Sequence, residues 1–164
     1  MGLFKMIRQA KQATKMENEV RERLAQMDDI TSLTLDNVRL QIFVMEYDIE
    51  RYQKMGISAD PFGNIVNWRA TAKGTQGFVD IYKQVLDDGI KKWQGKAFLE
   101  KQYKAATKAR SEATNDFDNL YYSGQQKAIA GLQEGVLYYE WTNPNMPIAI
   151  NPKIVSIIKK RNLL

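Results

Sequence analysis

The sequence predicts an all-α protein: an antiparallel helical bundle of long helices, followed by an extended Pro-containing arm and a short C-terminal helix. Three observations predict it. Apolar residues recur at spacings of three and four over most of the chain, the period of a helix with one buried face. No alternating strand pattern of useful length interrupts them; residues 148–150 make at best one short strand. Three of the four prolines fall in WTNPNMPIAINP at 141–152, which therefore cannot be helical throughout and reads as the arm.

The first element is LFKMIRQAKQATKMENEVRERLAQMDD. Its apolar stripe is Leu3, Met6, Ala10, Ala13, Val20, Leu24 and Met27, a heptad pattern with Glu17 as the one polar seam residue. Asp28, Asp29 and Thr31 suggest a turn. Thr34 or Asp36 then supplies a cap for a second helix. That helix carries Leu35, Val38, Ile42, Met45, Ile49 and Tyr52 on one stripe, pairs Glu50 with Lys54, and stops at Gly56. A hairpin over 3–55 follows from the short connector. Asp60 before Pro61 resembles an N-cap with proline at the first helical position, predicting a short helix over 61–72. Gly74 and Gly77 in KGTQG mark a flexible joint. A long helical stretch over 78–140 follows, with a break near Gly95. Gly124, Gly131 and Gly135 weaken its last part, although Ile129, Leu132, Val136 and Tyr139 keep helical spacing. The expected division is a bundle over 1–141 and, over 142–164, the arm plus a short basic amphipathic helix.

Composition removes several kinds of chemistry. The chain has 164 residues, 44% hydrophobic and 26% charged, as expected of a folded domain. It has no cysteine, which excludes disulfides, thiolate metal sites and cysteine nucleophiles, and no histidine, which removes the commonest general base and the usual zinc ligand. Dense acidic spots occur only at Asp28–Asp29, Asp87–Asp88 and DFD at 116–118, and a di-iron bundle would need histidine beside its carboxylates. There is no phosphate loop, dinucleotide fingerprint or nucleophile elbow. The expectation is a protein that is not an enzyme, with no cofactor, no metal and no small-molecule substrate. No run of about 18 apolar residues predicts a transmembrane helix. Lys5, Arg8, Lys11 and Lys15 break up any signal-peptide core. The expected location is a virion or the cytoplasm.

Contact surfaces are the remaining candidates. The net charge is +5, and both ends are basic. Lys5, Arg8, Lys11 and Lys15 at one end, with Lys159, Lys160 and Arg161 at the other, are candidate contacts to a polyanion, either nucleic acid or an anionic membrane. The start MGLFKMIRQAKQATK separates apolar from basic residues, and over residues 1–7 it resembles membrane-remodelling proteins of the ESCRT-III and PspA type. An ordinary bundle helix explains the same stripe, which runs on to Met27. Gly2 lacks the Ser or Thr that myristoylation wants four residues on, having Met6 instead. The C-terminal residues Ile154, Val155, Ile157 and Ile158 need cover and form a candidate subunit interface, with Tyr121, Tyr138 and Trp141 as aromatic candidates. A third basic set, Lys83, Lys91, Lys92, Lys96, Lys101, Lys104, Lys108 and Arg110, is expected to scatter around its helix with Asp87, Asp88 and Glu100 among it, as a solvated face.

Trp93-Gln94-Gly95 matches a further pattern. It resembles the Trp-x-Gly signature of WXG100 (ESAT-6-like) proteins, whose helical hairpin turns at that motif and which a type VII system exports. The resemblance covers three residues and the helical sequence beside them. The chain departs from the family in length, in the long helices before the motif, and in lacking a tyrosine followed four residues later by Asp or Glu. Read from its own residues, Trp93 anchors a helix break in the core and Gly95 lies at or next to the interruption. The function expected is therefore a structural or assembly subunit acting through helix packing in an oligomer of protein subunits, in the general style of small helical bacteriophage proteins.

Overall fold

The computed structural model describes residues 2–5, 7–8, 11, 15, 32–60 and 62–137. The chain divides into two compact units, Met1–Ile30 with Tyr139–Leu164, and Thr31–Tyr138. In the first unit, residues 3–5, 7, 8, 11 and 15 are helical and exposed. The predicted first arm of the hairpin beyond these residues, the proline arm and the last helix lie outside the described residues.

The second unit is mostly helical. Its elements are α1 (Leu35–Met55), β1 (Ile57–Ala59), β2 (Ile65–Asn67), α2 (Trp68–Asp88), a 3-10 turn (Lys92–Gln94), α3 (Lys96–Ser111) and α4 (Asp116–Gln133). α2 packs on both α1 and α4, and α3 packs on α4. The stripe read from the sequence buries Val38, Ile42, Met45, Ile49 and Tyr52 of α1 against Phe78, Ile81, Tyr82 and Val85 of α2, while Ala128, Ile129 and Leu132 of α4 close the core. Leu35, at the head of that stripe, remains exposed, as do Phe117 and Leu120 of α4.

Helix ends follow local chemistry. Thr34 caps α1 by accepting a hydrogen bond from the Asn37 amide at 3.2 Å. Gly56, with φ 60°, ends it in a conformation that costs glycine little. Lys54 donates to Glu50 at 2.8 Å as the spacing predicts, which raises the lysine's pKa; both side chains are exposed, so the pair adds little stability.

Three expectations are corrected. Residues 61–72 do not form a helix from Pro61. Residues 57–67 instead form an antiparallel hairpin, with Ile57 opposite Asn67, Ser58 opposite Val66 and Ala59 opposite Ile65. Asp60 closes the turn rather than capping a helix: its Oδ2 accepts from the Asn64 side-chain amide at 3.1 Å and its Oδ1 from the backbone amides of Asn64 at 2.8 Å and Phe62 at 2.9 Å, the side-chain bond first among the contacts that lower its pKa. Gly63 supplies the positive φ of 84°. The described residues are thus mostly helical, with one small two-stranded sheet among the helices. Asn67 caps α2, accepting from the Ala70 amide at 3.3 Å.

The joint at 73–77 is the middle of α2. Gly77 and, on α4, Gly124 are there for close packing: a Cβ on Gly77 would lie 2.1 Å from the Tyr121 carbonyl oxygen, and one on Gly124 would lie 1.9 Å from that of Gly74, whereas a Cβ on Gly74 itself would make an ordinary contact, 3.5 Å from the Leu120 carbonyl oxygen.

The stretch 78–140 is not one helix with a single break. Gly89, with φ 93°, ends α2, and the interruption lasts until Gly95 caps α3. A second break follows Ser111. Asn115 restarts the chain as α4 by accepting from the Asp118 amide at 2.9 Å. α4 then stops at Gln133, with Gly135 at φ 78°.

Candidate interaction surfaces

The Trp-x-Gly segment is a packing device. Trp93 is 0% exposed, on the 3-10 turn between α2 and α3. Its indole N–H donates to Asp88 Oδ2 at 3.1 Å, and its ring meets Phe98 edge-on at a centroid distance of 5.0 Å. Gly95 has φ −71°, an ordinary value for any residue, so no left-handed turn depends on it. A Cβ there would lie 3.3 Å from the Lys92 carbonyl oxygen and 3.7 Å from Phe98 Cβ. Gly95→Ala is therefore expected to cost no more than about 1 kcal/mol, read as a small change in urea midpoint.

Beside this turn lies an open cleft of about 660 Å³, lined by Gln94, Lys96, Leu99 and Glu100 on one side and Leu132 to Gly135 on the other. It brings one ammonium and two carboxylates, of Glu100 and Glu134, to an otherwise neutral lining. Among the described residues no group of three or more acidic, histidine or cysteine side chains is placed to hold a metal ion, and no helix is long and apolar enough to cross a membrane.

Tyr121 is half-buried between α2 and α4. Its hydroxyl donates to Asp80 Oδ2, accepts from Gln125 at 3.2 Å, and so joins the Gln76–Asp80 hydrogen bond of 2.8 Å in one network. Burial, followed by the neighbouring Asp80 carboxylate, raises the phenol's pKa far above its usual value. Its polar atom thus faces into the helix crossing. Tyr138, Trp141, Ile154, Val155, Ile157, Ile158, Lys159, Lys160 and Arg161 lie outside the described residues. Lys5, Arg8, Lys11 and Lys15 are exposed on helical residues, with Leu3, Phe4 and Ile7 exposed among them. The acidic residues Asp116 and Asp118 sit in the first turn of α4, where a helix N-terminus favours negative charge.

Two surfaces stand out that sequence reasoning missed. The first is the β1–β2 hairpin. Ile57, Phe62 and Ile65 are 65%, 77% and 74% exposed. Backbone bonds join Asp60 to Asn64 and Trp68 to Gly56, so the alternate pairs Ile57·Asn67 and Ala59·Ile65 aim their main-chain groups outward, away from the hairpin. Those residues also share the exposed face, and Asp60 is the only charged residue in 56–67. The sequence signal was available: DPFGN is a turn composition, flanked by the β-branched residues Ile57, Ile65 and Val66. Reading Asp60–Pro61 as a helix start hid it.

The second surface is α3. Its buried residues are Leu99 and Ala106. Lys101, Lys104 and Lys108 fall within about 60° of one another at 100° per residue, diametrically opposite the buried pair. The expected scatter of lysines around this helix is corrected for these three: they form a stripe. A count by window carries the signal, since residues 91–110 hold seven basic side chains and one acidic.

No family model, no curated protein and no solved structure matches the chain.

Proposed function

We propose that this protein is a non-enzymatic structural subunit that assembles with further copies of itself, its helices forming an antiparallel bundle and its β1–β2 hairpin forming part of the contact. The exposed apolar hairpin carries this reading. Proteins guard sheet edges with lysine, proline or a covering element because an open edge invites another strand. Neither strand here has a charged residue or a proline, and the exposed face carries two isoleucines and, at the turn, a phenylalanine. β1 packs toward α2, which leaves β2 as the more open edge. A two-fold axis beside Val66 would pair β2 with its copy in antiparallel register, set Ile65 of each copy near the other, and keep the two Asp60 carboxylates at opposite ends. A bacteriophage particle is the setting this reading favours, by analogy of type with small helical virion proteins.

Ile65→Lys places a charge at the centre of that contact while leaving a side chain that is already in solvent. Its expected result is an unchanged far-UV spectrum with association weakened about tenfold or more, measured by light scattering across a dilution series. Association equal to that of the unaltered protein contradicts the assignment of the contact to the hairpin.

A second reading, nucleic-acid binding, is favoured by the α3 lysine stripe.

A further inference from the structure

We infer that the outer face of α3 binds the phosphodiester backbone of duplex nucleic acid without regard to sequence. The first observation is where the charge lies. The whole chain has 24 basic and 19 acidic residues. Residues 91–110 account for seven of the former and one of the latter, which leaves 17 against 18 elsewhere. The entire positive excess thus belongs to the segment that includes most of α3. The basic ends read from the sequence are balanced by acidic residues between them.

The second observation is orientation. α3 packs on α4 through Leu99 and Ala106, and Arg110 holds the same side by donating to Gln126 at 2.9 Å and Asn119 at 3.4 Å. Lys101, Lys104 and Lys108 project from the opposite side over about 10 Å of helix. Lys101 and Lys108 have no acidic partner among the described residues. Lys104 pairs with Glu100 at 3.3 Å, but both side chains are well exposed, so a phosphate can replace the carboxylate at little cost.

The character of the face selects the partner. The exposed positions beside the lysines are Ala97, Ala105, Thr107 and Glu100, with Glu112 at the helix end, while Gln102 and the half-buried Tyr103 lie off the stripe, so no large apolar side chain is available to enter a bilayer, as an interfacial helix requires. No aromatic ring lies on the stripe for an unpaired base to stack on, which argues against single strands. Three lysine point charges on a straight helix match phosphates held in line, and none carries the bidentate geometry that reads a base edge.

The test is fluorescence anisotropy of the full chain with labelled DNA and RNA duplexes of mixed sequence, over a fourfold range of salt. A triple variant, Lys101→Gln with Lys104→Gln and Lys108→Gln, is compared with its Lys→Arg counterpart and with Lys5→Gln/Lys11→Gln/Lys15→Gln. The expected result is binding that weakens steeply with salt. In the α3 glutamine variant, the slope of log K against log salt falls by about three, so that over this range it loses about 40-fold less affinity than the unaltered protein. The arginine variant keeps the slope, and circular dichroism shows all variants folded. Three outcomes overturn the inference: no duplex binding by the unaltered protein, an unchanged slope in the α3 glutamine variant, or lysine-dependent flotation with anionic vesicles in place of duplex binding.

Discussion

Gly124→Ala is expected to destabilise the protein by about 3 kcal/mol or more, seen as a fall of about 10 °C in thermal midpoint. The reason is a backbone collision. α2 and α4 cross so closely that a Cβ on Gly124 would lie 1.9 Å from the Gly74 carbonyl oxygen and 2.9 Å from its carbon. Both belong to the main chain of a helix, so the added methyl cannot be accommodated by a side-chain rotation. The helices must separate, and separation loosens the core on either side, including Val79, Tyr82, Ala128 and Ile129. In an ordinary exposed helix the same exchange would stabilise, because alanine is the better helix former. The sign of the change is therefore diagnostic. Gly77→Ala should behave alike, its Cβ falling 2.1 Å from the Tyr121 oxygen. Chemical denaturation of both variants, with Gly95→Ala as the tolerated control, checks the crossing; a stabilising Gly124→Ala would contradict it.

Trp93→Ala is the other large effect, about 3–5 kcal/mol. The ring is wholly buried where the 3-10 turn meets α2, α3 and α4, so its removal leaves a cavity bordered by several elements. It also deprives Asp88 of the indole donor and Phe98 of its edge-on partner. Trp93→Phe should lose less, keeping most of the volume but not the hydrogen bond. Equilibrium denaturation separates the two variants, and a small effect of Trp93→Ala would show that the turn is not the anchor described above.

How much of this was legible in the sequence follows from what each signal measures. The α1 stripe was readable because a 3.6-residue period reports burial directly, and Thr34 and Gly56 marked the ends of α1 through their own capping chemistry. Glycine was misread. At Gly77 it lets the α4 backbone pass where a Cβ would collide, rather than loosening the chain, and a sequence pattern contains no information on a neighbour 44 residues away. The hairpin failed for a different reason. Asp60 followed by Pro61 suits either a helix start or a turn, and only the hydrogen bonds to Phe62 and Asn64 decide between them. Ile57, Phe62 and Ile65 went unnoticed as a surface because exposure is a property of the fold. The α3 stripe was present in the spacing of Lys101, Lys104 and Lys108, but finding its direction needed Leu99 and Ala106 as the buried reference.

The central claim is self-assembly with the hairpin in the contact, and sedimentation velocity of the unaltered 164-residue chain tests it most directly. The account predicts a sedimentation coefficient that rises with protein concentration, and a shift back toward the monomer value in Ile57→Lys/Ile65→Lys at the same concentrations. A single monomer boundary for the unaltered chain at every concentration would contradict it.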